Sequence, residues 1–322
     1  MSNLGTFSVR VARKTVEAVD IATFELVAES GGPLPAFGAG AHVDVQLPDG
    51  LVRQYSLCND PAETHRYLLG VLRDPASRGG SVAMHDMVAE GQLLQISAPK
   101  NHFALAHGAQ RSLLLAGGIG VTPILCMAER LANAGADFEM HYCTRSRERT
   151  AFYERIAGGA LAGRVKFHFD AGDASQKIDL AALLGQPRAG EHVYVCGPKG
   201  FMDAVLGLAR ASGWPEAQLH YEFFSAELLP SETDAVFEVK LASSGRVIVV
   251  PKDQTIVQAL AAAGVEVATS CEQGVCGTCL TRVIEGEPDH KDMYLTPEEQ
   301  AANDQMLPCC SRSKSAMLVL DL

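Results

Sequence analysis

Residues 271–279 read CEQGVCGTC, which places three of the chain's nine cysteines within nine residues, with two glycines between them. A disulfide, a zinc ion and an iron–sulfur cluster are the chemistries that use cysteine this densely. Zinc favours paired C-x2-C knuckles or mixed Cys/His sets. Here a single C-x2-C follows a four-residue gap, Cys271-x4-Cys276-x2-Cys279, and Cys309 comes after a further 29 residues. That is the spacing of a plant-type [2Fe–2S] loop. A cluster held by four thiolates is negatively charged and needs backbone N–H groups turned towards its sulfurs. Gly274 and Gly277 permit the backbone conformations and the close approach that a Cβ would obstruct, and the small Ser270 and Thr278 leave room.

The rest of the chain sets the context for that loop. With 322 residues there is room for two or three domains, and with 47% hydrophobic against 20% charged residues there is ample material for their cores. The net charge of −11 makes the surface repel phosphates, which excludes nucleic acid as a partner class. The opening MSNLGTFSVRVARKTVEAVDIATFEL (1–26) carries no apolar signal core. No apolar run approaches the ~18 residues of a membrane span. A cytoplasmic protein without membrane association is expected, with its thiols reduced. Cys58, Cys126 and Cys143 stand in apolar surroundings and read as buried packing residues. The histidines have no metal-ligand spacing, and His42, His141 and His168 read as structural residues of strands.

Three blocks follow one another. Residues 1–108 are short alternating runs (FSVRVARK, IATFELV, HVDVQL, RYLLGVLRD, LLQISAP) separated by glycine-rich turns, the pattern of a small β-barrel. Residues 109–225 alternate apolar strands with helical periods: RSLLLAGGIG, VTPILCMAERLANAG, DFEMHYCTR, RTAFYERIAG, RVKFHFD, KIDLAALLG, EHVYVCGP and KGFMDAVLGLARASG. That order predicts a parallel sheet covered by helices. Residues 226–235 read as a linker. Residues 236–322 begin with a hairpin turning at Ser-Gly, continue into a helix starting near Thr255, and reach the cysteine loop, an order that suits an α+β, β-grasp module.

Several motifs carry chemistry. RQYS (Arg53, Gln54, Tyr55, Ser56) combines a guanidinium fork for a phosphate, an aromatic ring and a hydroxyl. RGGS (78–81), with Gly79, Gly80 and Ser81 opening an apparent helix, supplies backbone N–H groups for an anion. AGGIGVTP (116–123) joins an apolar strand to a helix. Its Gly117, Gly118 and Gly120 admit a pyrophosphate to the helix start, Thr122 reaches a ring edge, and Pro123 suits the first turn. Cys196-Gly197-Pro198 repeats that geometry after a later strand, and Cys196 lacks a histidine partner that would make it a nucleophile.

Residues 236–322 resemble a plant-type ferredoxin domain. The whole chain resembles the phthalate dioxygenase reductase family of Rieske oxygenase reductase components, with the vanillate O-demethylase reductases as the nearest group. RQYS is similar to the R-x-Y-S flavin motif of the wider ferredoxin reductase superfamily. The resemblance implies a flavin barrel, a nicotinamide domain and a ferredoxin in that order, with FMN, a [2Fe–2S] cluster and NADH as cofactors. It implies that Arg53, Tyr55, Ser56 and the 79–81 turn hold FMN, and that Gly70, Val71 and Leu72 lie beside its ring. Some relatives carry lysine where Leu72 stands. Phe224 would close the ring's other side. Cys196, Gly197, Pro198 and a packed Met202 would lie by the nicotinamide. Cys309, which matches the fourth cysteine of this module better than Cys310, would complete the ligand set. On a strand-like approach these two neighbours would point to opposite sides.

Thr144, Arg145 and the following Ser146, Arg147 and Arg149 occupy the place that reads the adenosine ribose. Their chemistry favours the 2′-phosphate of NADPH, whereas the resemblance favours NADH. The implied function is transfer of electrons from NAD(P)H through FMN and [2Fe–2S] to a Rieske-type oxygenase acting on an aromatic acid, by a monomer. A free-standing flavin/iron–sulfur reductase and a non-catalytic ferredoxin-type carrier are the alternatives. The last block carries 12 acidic and 7 basic residues, with Glu285, Glu287, Asp289 and Asp292 in one loop, which predicts docking onto a basic partner surface.

Overall fold

The structure, a computed structural model, describes residues 5–77, 79–224 and 234–322. Arg78 of the RGGS turn and residues 226–233 of the expected linker lie outside the described residues. The chain divides into two compact units, Met1–Glu222 and Phe223–Leu322. Phe224 is half-buried and belongs to the second.

The first unit begins with an antiparallel barrel. Its strands are β1 (Thr6–Ala18), β2 (Ile21–Ala28), β3 (His42–Gln46), β4 (Val52–Ser56), β5 (Tyr67–Leu72) and β6 (Leu93–Ser97), and helix α1 (Gly80–Met87) lies between the last two. The order is β4-β3-β6-β1-β2-β5. A bridge between Leu57 and Leu69 joins the two end strands, so the sheet closes on itself and leaves little free edge. Alternation does the sorting: Val9, Val11, Phe24, Leu26, Val43 and Val45 are fully buried inside, while Arg10 and Gln46 on the same strands face out.

A parallel five-stranded sheet follows, comprising β7 (Arg111–Gly117), β8 (Asp137–Thr144), β9 (Val165–Phe169), β10 (Glu191–Cys196) and β11 (Leu219–Glu222). Helices α2 (Val121–Asn133), α3 (Tyr153–Gly158), α4 (Leu180–Leu184) and α5 (Lys199–Ala211) connect the strands. The order β11-β10-β7-β8-β9 reverses direction between β7 and β10, which creates a crevice beyond the carboxyl ends of those two strands. The helix expected across RTAFYERIAG starts only at Tyr153. Arg147–Arg149 form a single 3-10 turn, and Phe152 takes a left-handed φ of 60°. The Thr144 and Thr150 hydroxyls bond at 2.7 Å and draw the chain into a tight loop before the helix can begin.

The second unit is a β-grasp. β12 (Phe237–Leu241) and β13 (Val247–Val250) form the hairpin, α6 (Ile256–Ala262) crosses it, and β14 (Thr281–Glu285), the short β15 (Pro288–Asp289), α7 (Pro297–Ala302), β16 (Gln305–Met306), β17 (Arg312–Ser313) and β18 (Met317–Leu320) complete it. Its main sheet runs β13-β12-β18-β14-β16. Both helices start on capping boxes, Thr255 with Gln258 and Thr296 with Glu299, which satisfy donors that a short helix would otherwise leave open. Among the described residues no helix is long and apolar enough to cross a membrane.

Candidate functional site

Strand β4 and helix α1 bring together the two anion-binding motifs of the barrel. A Cβ on Gly80 would stand 2.4 Å from Arg53 Cγ, so only glycine lets the arginine stem cross the start of the helix. Gly79 precedes α1 with φ 84°, and no side chain caps the helix, which leaves its first N–H groups for an anion beside the Arg53 guanidinium. The Ser81 hydroxyl is used within the loop, meeting Asp74 N at 3.1 Å and Ser77 Oγ at 3.0 Å, so the backbone N–H of Ser81 rather than its hydroxyl is available. The Gln54 amide turns away onto Asp44 Oδ1 at 3.0 Å. Tyr55 packs on the barrel core, and burial raises its phenol above the ordinary range.

Gly70, in the middle of β5, marks where the barrel meets the parallel sheet. A Cβ there would lie 2.9 Å from Thr122 Cγ2 and 3.1 Å from the Phe152 ring. Thr122 turns its methyl to this contact, and its hydroxyl donates to Ile119 O at 3.1 Å. Val71 is buried and Leu72 half-buried on the same strand.

The crevice between β7 and β10 collects the two glycine motifs, but the glycines divide the work differently from the expectation that all of them face a pyrophosphate. A Cβ on Gly120 would lie 2.3 Å from the Cys196 carbonyl oxygen. One on Gly117 would meet Pro198 Cδ and Phe201 Cδ1 at 2.9 Å, and one on Gly197 would meet Gly117 Cα at 2.9 Å. These three let the two loops pack against each other. Gly118, with φ 52° and open space before it, is the one left facing the crevice. Pro123 is buried in the first turn of α2, where its missing N–H costs nothing, and Met202 is fully buried in α5.

At the same end of the sheet stands a residue that motif reading missed. Glu222 closes β11, and Ser56 Oγ donates to Glu222 Oε2 at 3.3 Å. The carboxyl lies deep in the crevice although part of the side chain keeps some exposure, and burial pushes it up to about 7 against the opposing Ser56 bond. Cys196 is fully buried one strand away, and burial, with the Glu222 charge second, raises its thiol well above the ordinary range, so it stays protonated. The signal for Glu222 was present as a lone acid in the apolar run HYEFF at a strand's carboxyl end.

In the stretch after β8, Thr144 is buried and Arg145 exposed. Arg147 pairs with Glu154 at 2.9 Å and lies over the Tyr153 ring, and Arg149 pairs with Asp20 at 3.2 Å. Among the described residues the Arg145 guanidinium has no partner. Cys58, Cys126 and Cys143 are buried as expected, and burial pushes the Cys58 thiol up to about 12. His42 and His141 are buried in strands and depressed by that burial to about 4.

In the second unit the thiols form two groups, Cys271 with Cys276, and Cys309 with both Cys279 and Cys310. Cys271 contacts Cys276, which this partner lowers to about 5, while Cys271 is raised. Contact with Cys309, with burial second, raises both Cys279 and Cys310. Among the described residues no three His, Cys, Asp or Glu side chains close around one metal ion. Two pairs of thiols, each able to serve one iron, are the donor set of a two-iron cluster. Gly274 and Gly277 have φ of 71° and 73°, and a Cβ on Gly277 would lie 2.3 Å from the Tyr294 ring.

The expectation that Cys309 and Cys310 point to opposite sides is overturned. Residues 308–310 form a turn, with Cys310 N and Ser311 N both bonded to Leu307 O at 3.2 and 3.0 Å, so both thiols are buried in one cluster. Cys310 Sγ is directed to Leu307 O and lies 2.5 Å from where a Gly274 Cβ would stand. The acidic loop also differs from its reading. Asp292 is buried and accepts from Leu295 N at 2.9 Å, Glu287 pairs with Lys314 at 3.0 Å, and Asp289 lies 3.8 Å from Lys291. Of the four acids, Glu285 alone is exposed without an ion pair among the described residues.

Comparison with known proteins agrees with this arrangement. Residues 239–314 match the 2Fe-2S iron-sulfur cluster binding domain, and residues 97–219 match the N-terminal domain of dimethylamine monooxygenase subunit DmmA-like proteins. The chain is 57% identical over 313 residues to vanillate O-demethylase oxidoreductase of Pseudomonas putida, covering 97% of this chain and 98% of that one. It is 40% identical over 319 residues to phthalate dioxygenase reductase of Burkholderia cepacia, covering 99% and 98%. The solved structure of a phthalate dioxygenase reductase, described as modular for electron transfer from pyridine nucleotides to [2Fe-2S], superposes with a TM-score of 0.81 at 40% identity over 99% of this chain and 98% of that one. With barrel, switch-point sheet and cysteine loop in one order along the full length of these relatives, the chain belongs to the phthalate dioxygenase reductase family of flavin and [2Fe–2S] oxidoreductases.

Proposed function

We propose that the chain is the reductase component of a two-component, Rieske-type oxygenase or demethylase acting on an aromatic acid, and that it works as a cytoplasmic monomer. The observation that carries this reading is the meeting of Ser56, Glu222 and Cys196 at the switch-point crevice, on a chain that continues into a ferredoxin loop. FMN bound at this site would supply hydride acceptance from NADH or NADPH and one-electron delivery to a [2Fe–2S] cluster.

The residues supply position and proton control. Arg53 and the N–H groups of Gly80 and Ser81 would hold the flavin phosphate, and Tyr55, Gly70, Val71 and Leu72 would bound the ring. Gly118 and the Cys196–Pro198 turn would receive the nicotinamide half of the donor, and Thr144 and Arg145 its adenosine. Glu222, whose carboxyl burial raises to about 7, accepts from Ser56 Oγ and can take up or release a proton near neutrality. Cys196 stays a neutral thiol, which suits contact with an uncharged ring and not nucleophilic attack. Cys271, Cys276, Cys279 and Cys309 would hold the cluster. The working domains on this reading are 1–108, 109–225 and 236–322.

Anaerobic addition of NADH to the purified protein should bleach both flavin and iron–sulfur absorption, and the reduced protein should then reduce a Rieske oxygenase component. Protein that binds no flavin, or that bleaches only one of the two chromophores, would refute the reading. Elution above the size of a 34.3 kDa monomer would refute the monomer.

A further inference from the structure

We propose that His85 is a positioning residue for the flavin, tying the phosphate end of its site to the ring end. The inference rests on the FMN site proposed above and adds a residue that contacts neither the phosphate nor the ring.

Helix α1 has eight residues and buries only Gly80, Ala83 and Met84. A helix this short does not hold its own place, so its position is set by tertiary ties. At its start the Ser81 hydroxyl meets Asp74 N at 3.1 Å, just beyond the end of β5, and the remaining ties lie at its carboxyl end. His85 Nε2 is 2.9 Å from the Val71 carbonyl oxygen. That oxygen can only accept, so Nε2 carries the hydrogen. The imidazole also stands edge-on to Phe24 at 6.2 Å. Lys14 donates to the carbonyls of His85 and Val88, the latter at 2.9 Å, with its ammonium 5.3 Å over the Phe24 ring. A cation at that end complements the helix dipole. The Arg73–Asp86 pair on the same helix is 38% and 52% exposed and adds little.

Val71 is the central residue of the strand segment beside the ring, and Gly80 begins the N–H groups beside Arg53. The two ends of the flavin site therefore belong to different elements, β5 and α1. His85 bonds one to the other, about 7.5 Å along the helix axis from Gly80. Without that bond the helix is held to the strand only through Ser81 and its buried Ala83 and Met84, so its start is fixed less firmly against β5, and a ligand that must reach both loses part of what its phosphate contributes. A ligand with the ring alone loses nothing.

The test is fluorescence titration of the flavin-stripped full-length chain with FMN and with riboflavin, which lacks the phosphate. Wild type should prefer FMN. His85→Leu should weaken FMN about tenfold, the worth of one net hydrogen bond, and riboflavin less than about twofold. His85→Gln, which keeps a donor, should stay within about threefold for FMN. Lys14→Met, which keeps the stem over Phe24, should reproduce the FMN-selective loss and carries the test if His85→Leu does not fold. Equal weakening of both ligands by His85→Leu, or none, would overturn the positioning role. Wild type that binds FMN no better than riboflavin would instead overturn the phosphate site itself, and the inference with it.

Discussion

Glu222 offers the sharpest test of the crevice. Its carboxyl titrates near pH 7 in the folded chain, where burial disfavours the charge, against an ordinary 4.5. Below about pH 4.5 the group is protonated in both folded and unfolded chains and contributes no pH dependence. Between that point and about pH 7 the unfolded chain loses its proton while the folded chain keeps it, so stability falls as pH rises. For a fully enclosed carboxyl the interval amounts to about 3 kcal/mol. Glu222 keeps part of its side chain towards solvent, which lowers the expectation to about 2 kcal/mol. Glu222→Gln removes the titration. The variant should gain about 2 kcal/mol relative to wild type between pH 5 and pH 8. Urea unfolding of the flavin-stripped protein measures this directly. The chain's single tryptophan, Trp214, is buried in the parallel-sheet domain and bonded to Leu184 O at 2.8 Å, so its fluorescence reports that domain. Parallel stability–pH curves for variant and wild type would refute the raised carboxyl and the proton-holding role built on it.

Gly120→Ala would drive a methyl into the Cys196 carbonyl, 2.3 Å away. Neither backbone can yield, so KM for the pyridine nucleotide should rise about tenfold while flavin content stays normal; an unchanged KM would mean that the packing of the two loops is not needed for donor binding. Cys309→Ser should lose the cluster and Cys310→Ser should keep it, read by iron content, and the reverse result would move the fourth ligand to Cys310. Arg145 is the arginine of its stretch left without a partner, so Arg145→Ala should lower kcat/KM for NADPH about tenfold and for NADH less than twofold; equal losses would show that it does not read the 2′-phosphate. Because the loop acids are mostly buried or paired, electron delivery to the oxygenase should change less than about threefold between low salt and about 0.3 M, and a steep decline would restore the acidic docking surface first expected from the sequence.

Some of this protein could be read without coordinates because local chemistry determined it. The cysteine spacing and its glycines specify a thiolate loop through covalent connectivity alone. Strand–helix alternation after residue 109 specifies a parallel sheet, since parallel strands need crossovers. Thr255 and Thr296 announce their helices because a cap and its partner lie three residues apart. What stayed hidden depends on distance in sequence. Glu222 and Ser56 are separated by 166 residues, and nothing local to either says that they are hydrogen-bonded. Gly117 and Gly120 read as a cradle for phosphate until the sheet order brings Cys196 and Pro198 against them. Cys309 and Cys310 read as strand residues until Leu307 O gathers their backbone into a turn. The acids at 287, 289 and 292 read as a free negative surface until Lys314 reaches Glu287, Lys291 of the same loop turns to Asp289 and the backbone N–H of Leu295 reaches Asp292. Spacing and periodicity along the chain determined which elements form and that one loop suits an iron–sulfur cluster, while the flavin and nicotinamide came from the resemblance of its motifs. Which charges remain free, which glycines stay open and which carboxyl keeps its proton were decided only by tertiary packing, because burial and long-range partners set those energies.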